Sequence, residues 1–477
     1  MASSRKLRSS SISSKAENVL REQIRRGDHL VAALSGGVDS VVLLDLLIPL
    51  SVSLRFSLSA VHVNHGISAN ALKWSKFCRD LCRSRGIPLK IAKVKVNWES
   101  GVSLEAAARD VRYRVFAKQK ANYVVLAQHL DDQAETLLLQ LLRGAGVKGL
   151  GAMPVVRNSA CAIKHNASKT GKRVSGTGAG MSDYGPQILR PILDVSRREI
   201  EDYATRNALR WIIDESNDNI AFDRNFLRHE FFPLLEKRFP SYRATFSRAS
   251  RHMAEAADLL DELAEADSNN CIIPGKLQVG DLRELSFPRA RNLLRYALAQ
   301  QGVILPSTAK LEEILRQLRS SSADSKLHII FGNTEVRCFR GMVHVRNVDS
   351  FLGVEWQVAW NGEKQLTLAG LGGTVKFTRC KGAGINLQKL MESPVTVRMR
   401  RGGERLRPDF KRPRRSLKNL LREASLPPWE REVLPLIFIG EQLACVPGIG
   451  VDCGFQAVAG EPGVVVEWEA GRKAGSG

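Results

Sequence analysis

Residues 30–47 read LVAALSGGVDSVVLLDLL. An apolar run (30–35) meets a turn built from two glycines, an acid and two serines, and a second apolar run follows with helical character. The first run is apolar on both faces of a strand, which places it inside a sheet covered on each side. Three further runs share that character: SLSAVHVN (57–64), LKIAKVKV (89–96) and YVVLAQH (123–129), with helical segments such as 103–122 between them. Strands that alternate with helices predict an α/β fold with a doubly wound parallel sheet. In such sheets ligands sit beyond the carboxyl ends of the strands, so the residues closing each run become the candidates for chemistry.

The turn itself, SGGVDS (Ser35, Gly36, Gly37, Val38, Asp39, Ser40), has the composition of a phosphate cradle. Glycines let the backbone bend and bring N–H groups close to an anion, the serines add hydroxyls, and the following helix turns its positive end toward the same point. Asp39 would repel phosphate directly, so its expected task is to hold a Mg²⁺ that bridges phosphates. GxxxxGK[ST] is absent, which excludes a Walker A nucleotidase. A bare strand–helix turn also favours small residues, but it calls for neither the flanking serines nor the acid.

Other run ends add candidates. HVNHG (62–66) closes the second strand; strand alternation turns His62 and His65 to opposite faces, which argues against a metal pair and leaves His62 to shape a nucleotide pocket. Helix 103–121 puts Glu105, Arg109 and Arg112 on one face. They form either an exposed Glu–Arg pair or, at the ligand end, a neutralising group for departing phosphate. In QHLDDQAETLLLQLLRGAG (128–146), Asp131 is expected as the helix N-cap. Asp132 and Glu135 share a face in the first turn, and a pair of carboxylates there suits a cationic amine, although acids favour helix starts for dipole reasons alone. GAGVKG (144–149) follows a helix rather than a strand and reads as a C-terminal glycine turn, not a dinucleotide fingerprint.

Around this core the chain divides into an expected basic flexible arm (1–27), an α/β domain (28–222) with a Gly/Ser/Lys-rich flexible insertion at 158–187, a mostly helical middle domain (223–350), a β-leaning connection (351–392) and a small basic α+β C-terminal domain (393–470). Ser196 and Glu199 make an S-x-x-E capping box that opens a helix. The 71 Lys+Arg exceed the 49 Asp+Glu by 22, a charge that suits a polyanionic partner. It is concentrated between 398 and 431, where twelve basic residues stand against four acids; a solvated face is the plainer reading of such a cluster, phosphate neutralisation the better one. The eight cysteines form no CxxC pair, which removes zinc-ribbon and thioredoxin-type chemistry and fits a reducing cytoplasm. The apolar stretch 30–50 is interrupted by Asp39 and Asp45, so a membrane span is not expected, and the N-terminus has no apolar signal core.

The SGGVDS turn after the first strand resembles the ATP pyrophosphatase (PP-loop) superfamily. HVNHG, AARDVRYRVF (106–115), QHLDDQAETLLLQLLRGAG, RPILDVSRREIEDYA (190–204) and the WIIDESNDNIAFDRNFLR segment (211–228) together are similar to the tRNA(Ile)-lysidine synthetases. The resemblance returns at 397–437, VRMRRGGERLRP…RRSLKNLLREASLPPWEREVLPLI. It implies a PP-loop ATPase-type domain followed by helical and C-terminal tRNA-binding domains. The implied activity is an ATP-dependent ligase that adenylates C2 of the wobble cytidine of CAU-anticodon tRNA(Ile) and replaces AMP with free L-lysine. On that reading Ser35–Ser40, His62 and Arg112 bind ATP, Asp39 takes Mg²⁺, and Arg109 balances developing charge. Asp132 and Glu135 bind lysine. Arg224 and Arg228, one helical turn apart, contact ATP phosphate or anticodon-loop backbone, unless they pair with carboxylates structurally. Arg398, Arg400, Arg401, Arg405, Arg415 and Lys418 hold tRNA. No membrane or protein partner is implied, and a homodimer is left open. Two departures stand out: Ser68 replaces the family's usual Arg, and the 158–187 insertion interrupts a short link. A thiolase of the same superfamily, or a catalytically silent tRNA- and nucleotide-binding protein, are the competing readings.

Overall fold

The computed structural model describes residues 11–68, 70–96, 104–158, 185–215, 219–268, 276–321, 327–347, 356–368 and 373–470. Six strands form the first sheet: β1 (His29–Ala33), β2 (Ser57–Asn64), β3 (Leu89–Lys93), β4 (Tyr123–Val125), β5 (Val156–Asn158) and β6 (Gln187–Leu189). Their order is β3-β2-β1-β4-β6-β5. All neighbours run parallel except β5 against β6. The chain leaves β1 for β2 on one side and returns to β4 on the other, so the strand order reverses beside β1, and a crevice opens there at the carboxyl edge.

The helices are α1 (Ile12–Gln23), α2 (Val38–Leu54), α3 (Ala71–Ser84), α4 (Leu104–Ala117), α5 (Leu130–Leu142), α6 (Val147–Leu150) and α7 (Arg197–Arg206). Alternate residues of β1 serve two cores. Leu30 and Ala32 pack with Leu20, Leu43 and Ile200 from α1, α2 and α7, whereas Val31 packs with Tyr113 and Phe116 of α4. Each fully buried leucine stabilises by roughly 1.5–3 kcal/mol, and α2, buried almost all round, is held by many.

Several expectations need correction. The arm 1–27 is not loose over its second half, because Ile12, Ala16 and Leu20 recur at helical spacing, are buried, and follow a Ser11 cap. Most of the 158–187 insertion lies outside the described residues, but its ends are strands β5 and β6, paired with each other. Strand four is shorter than 123–129, since the chain leaves the sheet after Val125 and turns into α5. The glycine turn at 144 holds: Gly144 has φ +67° just past α5.

The chain forms two compact units, 1–274 with 281–305, and 275–280 with 306–477. The expected middle domain 223–350 is therefore divided. Helices α8 (Asp223–Phe226), α9 (Phe232–Arg238) and α10 (Tyr242–Asp267), with a π-helical turn (Leu227–Phe231) between the first two, belong to the sheet's unit, where α10 packs on α5 and α6. The second unit contains a four-stranded antiparallel sheet within 276–347. The 351–392 segment is not a mere connection. Its strand Gln357–Trp360 pairs with Val395–Arg398, and Gly373–Lys381 pairs along its length with Pro462–Ala470. Among the described residues, no helix is long and apolar enough to cross a membrane.

Candidate active site

The glycine-rich turn joins β1 to α2 at the reversal of strand order. Gly36 has φ +97°, and a Cβ there would come within 2.8 Å of the Ile212 side chain, so both conformation and space demand glycine. Its carbonyl accepts from Ile212 N at 2.9 Å. Ser40 organises the turn: its Oγ accepts from the N–H groups of Ser35 (3.2 Å) and Gly36 (3.1 Å) and donates to the Gly37 carbonyl at 2.9 Å. Gly37 is the α2 N-cap and offers no side-chain acceptor, so the helix start keeps its positive end for another group.

Beside the turn lies a cavity of about 620 Å³, within the range of small-molecule sites. Ser35, Asp39 and Ser40 line it from the turn, His62 and His65 from the end of β2, Arg109 and Arg112 from α4, and Gln128 from the end of β4. Both histidines reach this one space because β2 ends at Asn64, which breaks the alternation that would have separated them. His62 is 4% exposed; its Nδ1 faces the Leu34 carbonyl at 2.9 Å, so that nitrogen carries the proton, and burial lowers its pKa. His65 is pushed down to about 4 by burial and by Arg112. Both rings are neutral near pH 7. Arg109 donates to the Tyr113 hydroxyl at 3.3 Å and lies 5.1 Å from its ring centre; the expected Glu105–Arg109 pair falls outside the described side chains. Ser68 also lines the cavity and presents a hydroxyl there.

On the far side of Asp39 stands a cluster of charges. His129, not Asp131, caps α5: Asp132 accepts the His129 N–H at 3.1 Å. Asp131 instead accepts from the backbone of Arg197 at 2.8 Å and pairs with Arg243. His129 is 3% exposed, with Nε2 3.7 Å from Asp39 and 3.6 Å from Asp132. Burial opposes its charge, but Asp132, Asp131 and Asp39 together outweigh that and raise its pKa to about 9, so it is an imidazolium. Arg197 Nη1 grips both oxygens of Asp39, at 2.8 and 2.7 Å; burial nevertheless raises the Asp39 pKa. Glu135 is 1% exposed; its Oε1 takes two bonds from Arg228, at 2.9 and 2.7 Å, while its buried Oε2 has no hydrogen-bond partner among the described residues. Arg228 also lies 3.8 Å from Asp132, and Arg224 is 3.5 Å from the Thr136 hydroxyl. Arg228 is thus placed as a carboxylate's partner. Asp39, His129, Asp132, Glu135 and Arg228 form one chain of contacts, and four acids (Asp39, Asp131, Asp132, Glu135) face four cations (His129, Arg197, Arg228, Arg243). No cluster of three metal-ligating His, Cys, Asp or Glu side chains exists among the described residues.

A family model described as a PP-loop domain matches residues 8–235, and two others, the TilS substrate binding domain and the TilS substrate C-terminal domain, match 277–344 and 395–468. The tRNA(Ile)-lysidine synthase of Nitrosomonas europaea is 49% identical over 449 residues, covering 94% of this chain and 93% of its own. The chain belongs to the tRNA(Ile)-lysidine synthase family. Synthases of that name from Coxiella burnetii and Azoarcus sp. are 37% and 38% identical, covering 91% and 95% of this chain and 92% and 94% of theirs.

In this family member the basic C-terminal segment is partly paired within itself. Arg398 lies 3.5 Å from the Phe438 ring centre and 3.6 Å from Glu441, Arg400 lies 3.5 Å from Glu404, and Arg415 pairs with Glu423. Arg401, Arg405 and Lys418 are exposed. Gln128, His129, Arg190 and Arg197 stand in the motifs quoted from the sequence, but the sequence assigned none of them a role. A capping box announced the helix that carries Arg197, but nothing local announced its contact with Asp39.

Proposed function

We propose that this protein ligates lysine to C2 of the wobble cytidine in CAU-anticodon tRNA(Ile), converting ATP to AMP and pyrophosphate and leaving lysidine, which reads AUA instead of AUG. One observation carries the reading: the Asp132–Glu135 carboxylate pair is linked to Asp39 of the glycine-rich turn through His129, with contacts of 3.6 and 3.7 Å. An amine held by the pair is therefore next to a nucleotide held by the turn.

The steps follow from that neighbourhood. ATP occupies the cavity with its distal phosphates at the turn and the α2 N-terminus. The cytosine O2 attacks the α-phosphorus; the bond to the bridging oxygen breaks, and pyrophosphate leaves with the electron pair. Arg109 and Arg112, on the cavity wall, offset the charge that builds as it departs. Adenylation makes O2 a leaving group. The lysine ε-ammonium, drawn by the Asp132–Glu135 carboxylate pair, gives a proton to a carboxylate of that pair, and the freed amine attacks C2; the C2–O2 bond breaks and AMP leaves with the electron pair. Proximity supplies much of the acceleration, because both reactants are held before the step. Mg²⁺ would be held by Asp39, whose two hard oxygens Arg197 now occupies and would have to yield. When bound there, Mg²⁺ would neutralise charge on the triphosphate. Arg401, Arg405 and Lys418 are the exposed members of the basic segment proposed to hold the tRNA backbone.

The test is turnover of unmodified CAU-anticodon tRNA(Ile) with ATP, with and without labelled lysine. Incorporation of lysine into the tRNA at one pyrophosphate per lysine is expected. Pyrophosphate release without incorporation would support a thiolase-type enzyme, and no turnover a silent binding protein.

A further inference from the structure

Among the described residues Arg190 is the bulkiest fully buried side chain, 1% exposed. Its hydrogens go to neutral acceptors. Nη1 donates to the Pro154 carbonyl at 2.7 Å, Nε donates to the Gln128 Oε1, and the Tyr113 hydroxyl is a further partner. Among the described residues no carboxylate pairs with it; its charged neighbours Arg109 and Arg157 are themselves cations. Neutral oxygens satisfy its N–H groups but leave a buried charge uncompensated, an arrangement that invites an anion nearby.

That charge acts on one side chain of the cavity. A guanidinium has five donors and no acceptor, so the oxygen of the Gln128 amide must face Arg190. Its NH₂ must then face the other way, toward the cavity that Gln128 lines. No protein acceptor takes that NH₂ among the described residues. Gln128 directly precedes His129, which touches Asp39 on one side and Asp132 on the other. The amide faces the cavity that Ser35, Asp39 and Ser40 of the turn and Arg109 and Arg112 of α4 also line, where the phosphorus under attack must lie if the triphosphate is held by the turn.

We propose that the Gln128 Nε2–H group donates to a non-bridging oxygen of the α-phosphorus as it is attacked, and that Arg190 is the positioning residue that fixes and polarises the amide. The proposal rests on the ligase reading above. As the O2–phosphorus bond forms and the bond to pyrophosphate breaks, charge grows on the non-bridging oxygens; Gln128 keeps its protons throughout and acts only by hydrogen bonding. A donor already held in place has no reorganisation to undergo at that moment.

The test is single-turnover formation of adenylated tRNA from ATP and CAU-anticodon tRNA without lysine, in the full-length protein. Gln128→Glu keeps the shape, replaces the donor with an acceptor and gives Arg190 a counter-charge. Its melting temperature is expected to equal or exceed that of the unaltered protein, while the adenylation rate falls by about 10²–10³-fold with little change in KM for ATP. Gln128→Ala should show the same rate-selective loss. Arg190→Lys should lose rate in the same way, and combining it with Gln128→Ala should add nothing, because one acts through the other. Gln128→Glu at full rate, or a loss confined to KM, would overturn the assignment of Gln128; multiplicative losses in the double variant would overturn the role of Arg190. Failure of the unaltered protein to form adenylated tRNA would instead overturn the ligase reading.

Discussion

His129 stores a pH dependence in the fold. Its pKa stands at about 9 against an ordinary 6.5, so protonation stabilises the folded chain by about 3 kcal/mol. A raised pKa contributes fully below the unfolded value and fades as pH climbs through the folded one. Stability of the nucleotide-free protein should therefore fall between about pH 6.5 and 9, and His129→Gln should flatten that part of a pH series of urea midpoints. An unchanged slope would show that the imidazolium contributes little. Arg228 is the counter-charge of buried Glu135, so Arg228→Ala should cost about 2 kcal/mol, less than a fully buried pair because its side chain is 39% exposed. Asp39→Ala should abolish adenylation. Asp132→Ala should mainly raise the lysine concentration needed for half-maximal incorporation, and a lysine dependence equal to that of the unaltered protein would remove Asp132 from the amine site.

Elements whose cause is local were legible in the sequence, and those whose cause is a distant partner were not. The run 57–64 gives β2 residue for residue, and Ser196 and Glu199 form the expected box, with the Glu199 carboxylate 2.8 Å from Ser196 N. Strand period and capping chemistry are written within a few residues. Arg197 reaches Asp39 across 158 positions of chain, and Arg190 reaches Gln128 across 62; only folding brings those partners together. Nor did the sequence reveal that 356–381 would join the C-terminal sheets, since strand partners are not encoded by alternation alone. Helix α7 ties the two classes, because its local cap carries a residue that holds the site. Ser196→Ala should lower stability by about 1 kcal/mol in urea unfolding. It should also loosen Arg197 and so change the affinity for ATP, whereas a cap change at a remote helix should leave that affinity alone. At the turn, Gly36→Ala meets both φ +97° and the Ile212 side chain, so ATP binding by calorimetry should be lost or at least tenfold weaker.

For the whole molecule the governing quantity is charge: the excess of 22 positive charges favours any polyanion, so the informative measurement is how affinity responds to salt. Each Lys or Arg that displaces a counterion from RNA phosphate steepens the slope of log affinity against log salt by roughly 0.7–0.9. The basic segment does not contribute uniformly. Arg398 is packed against Phe438 with its side chain only 15% exposed, and Arg415 is paired with Glu423, so replacing either removes packing or an internal ion pair as well as charge. Arg401, Arg405 and Lys418 are exposed. Changing these three to Gln should weaken binding of CAU-anticodon tRNA and flatten the salt slope by about 2, with no change in ATP affinity. Arg398→Gln alone should lower the melting temperature and move the slope by less than one charge's worth. The comparison is made by filter binding across a salt series. Equal slopes for the triple variant and the unaltered protein would place the tRNA contact on residues other than these three.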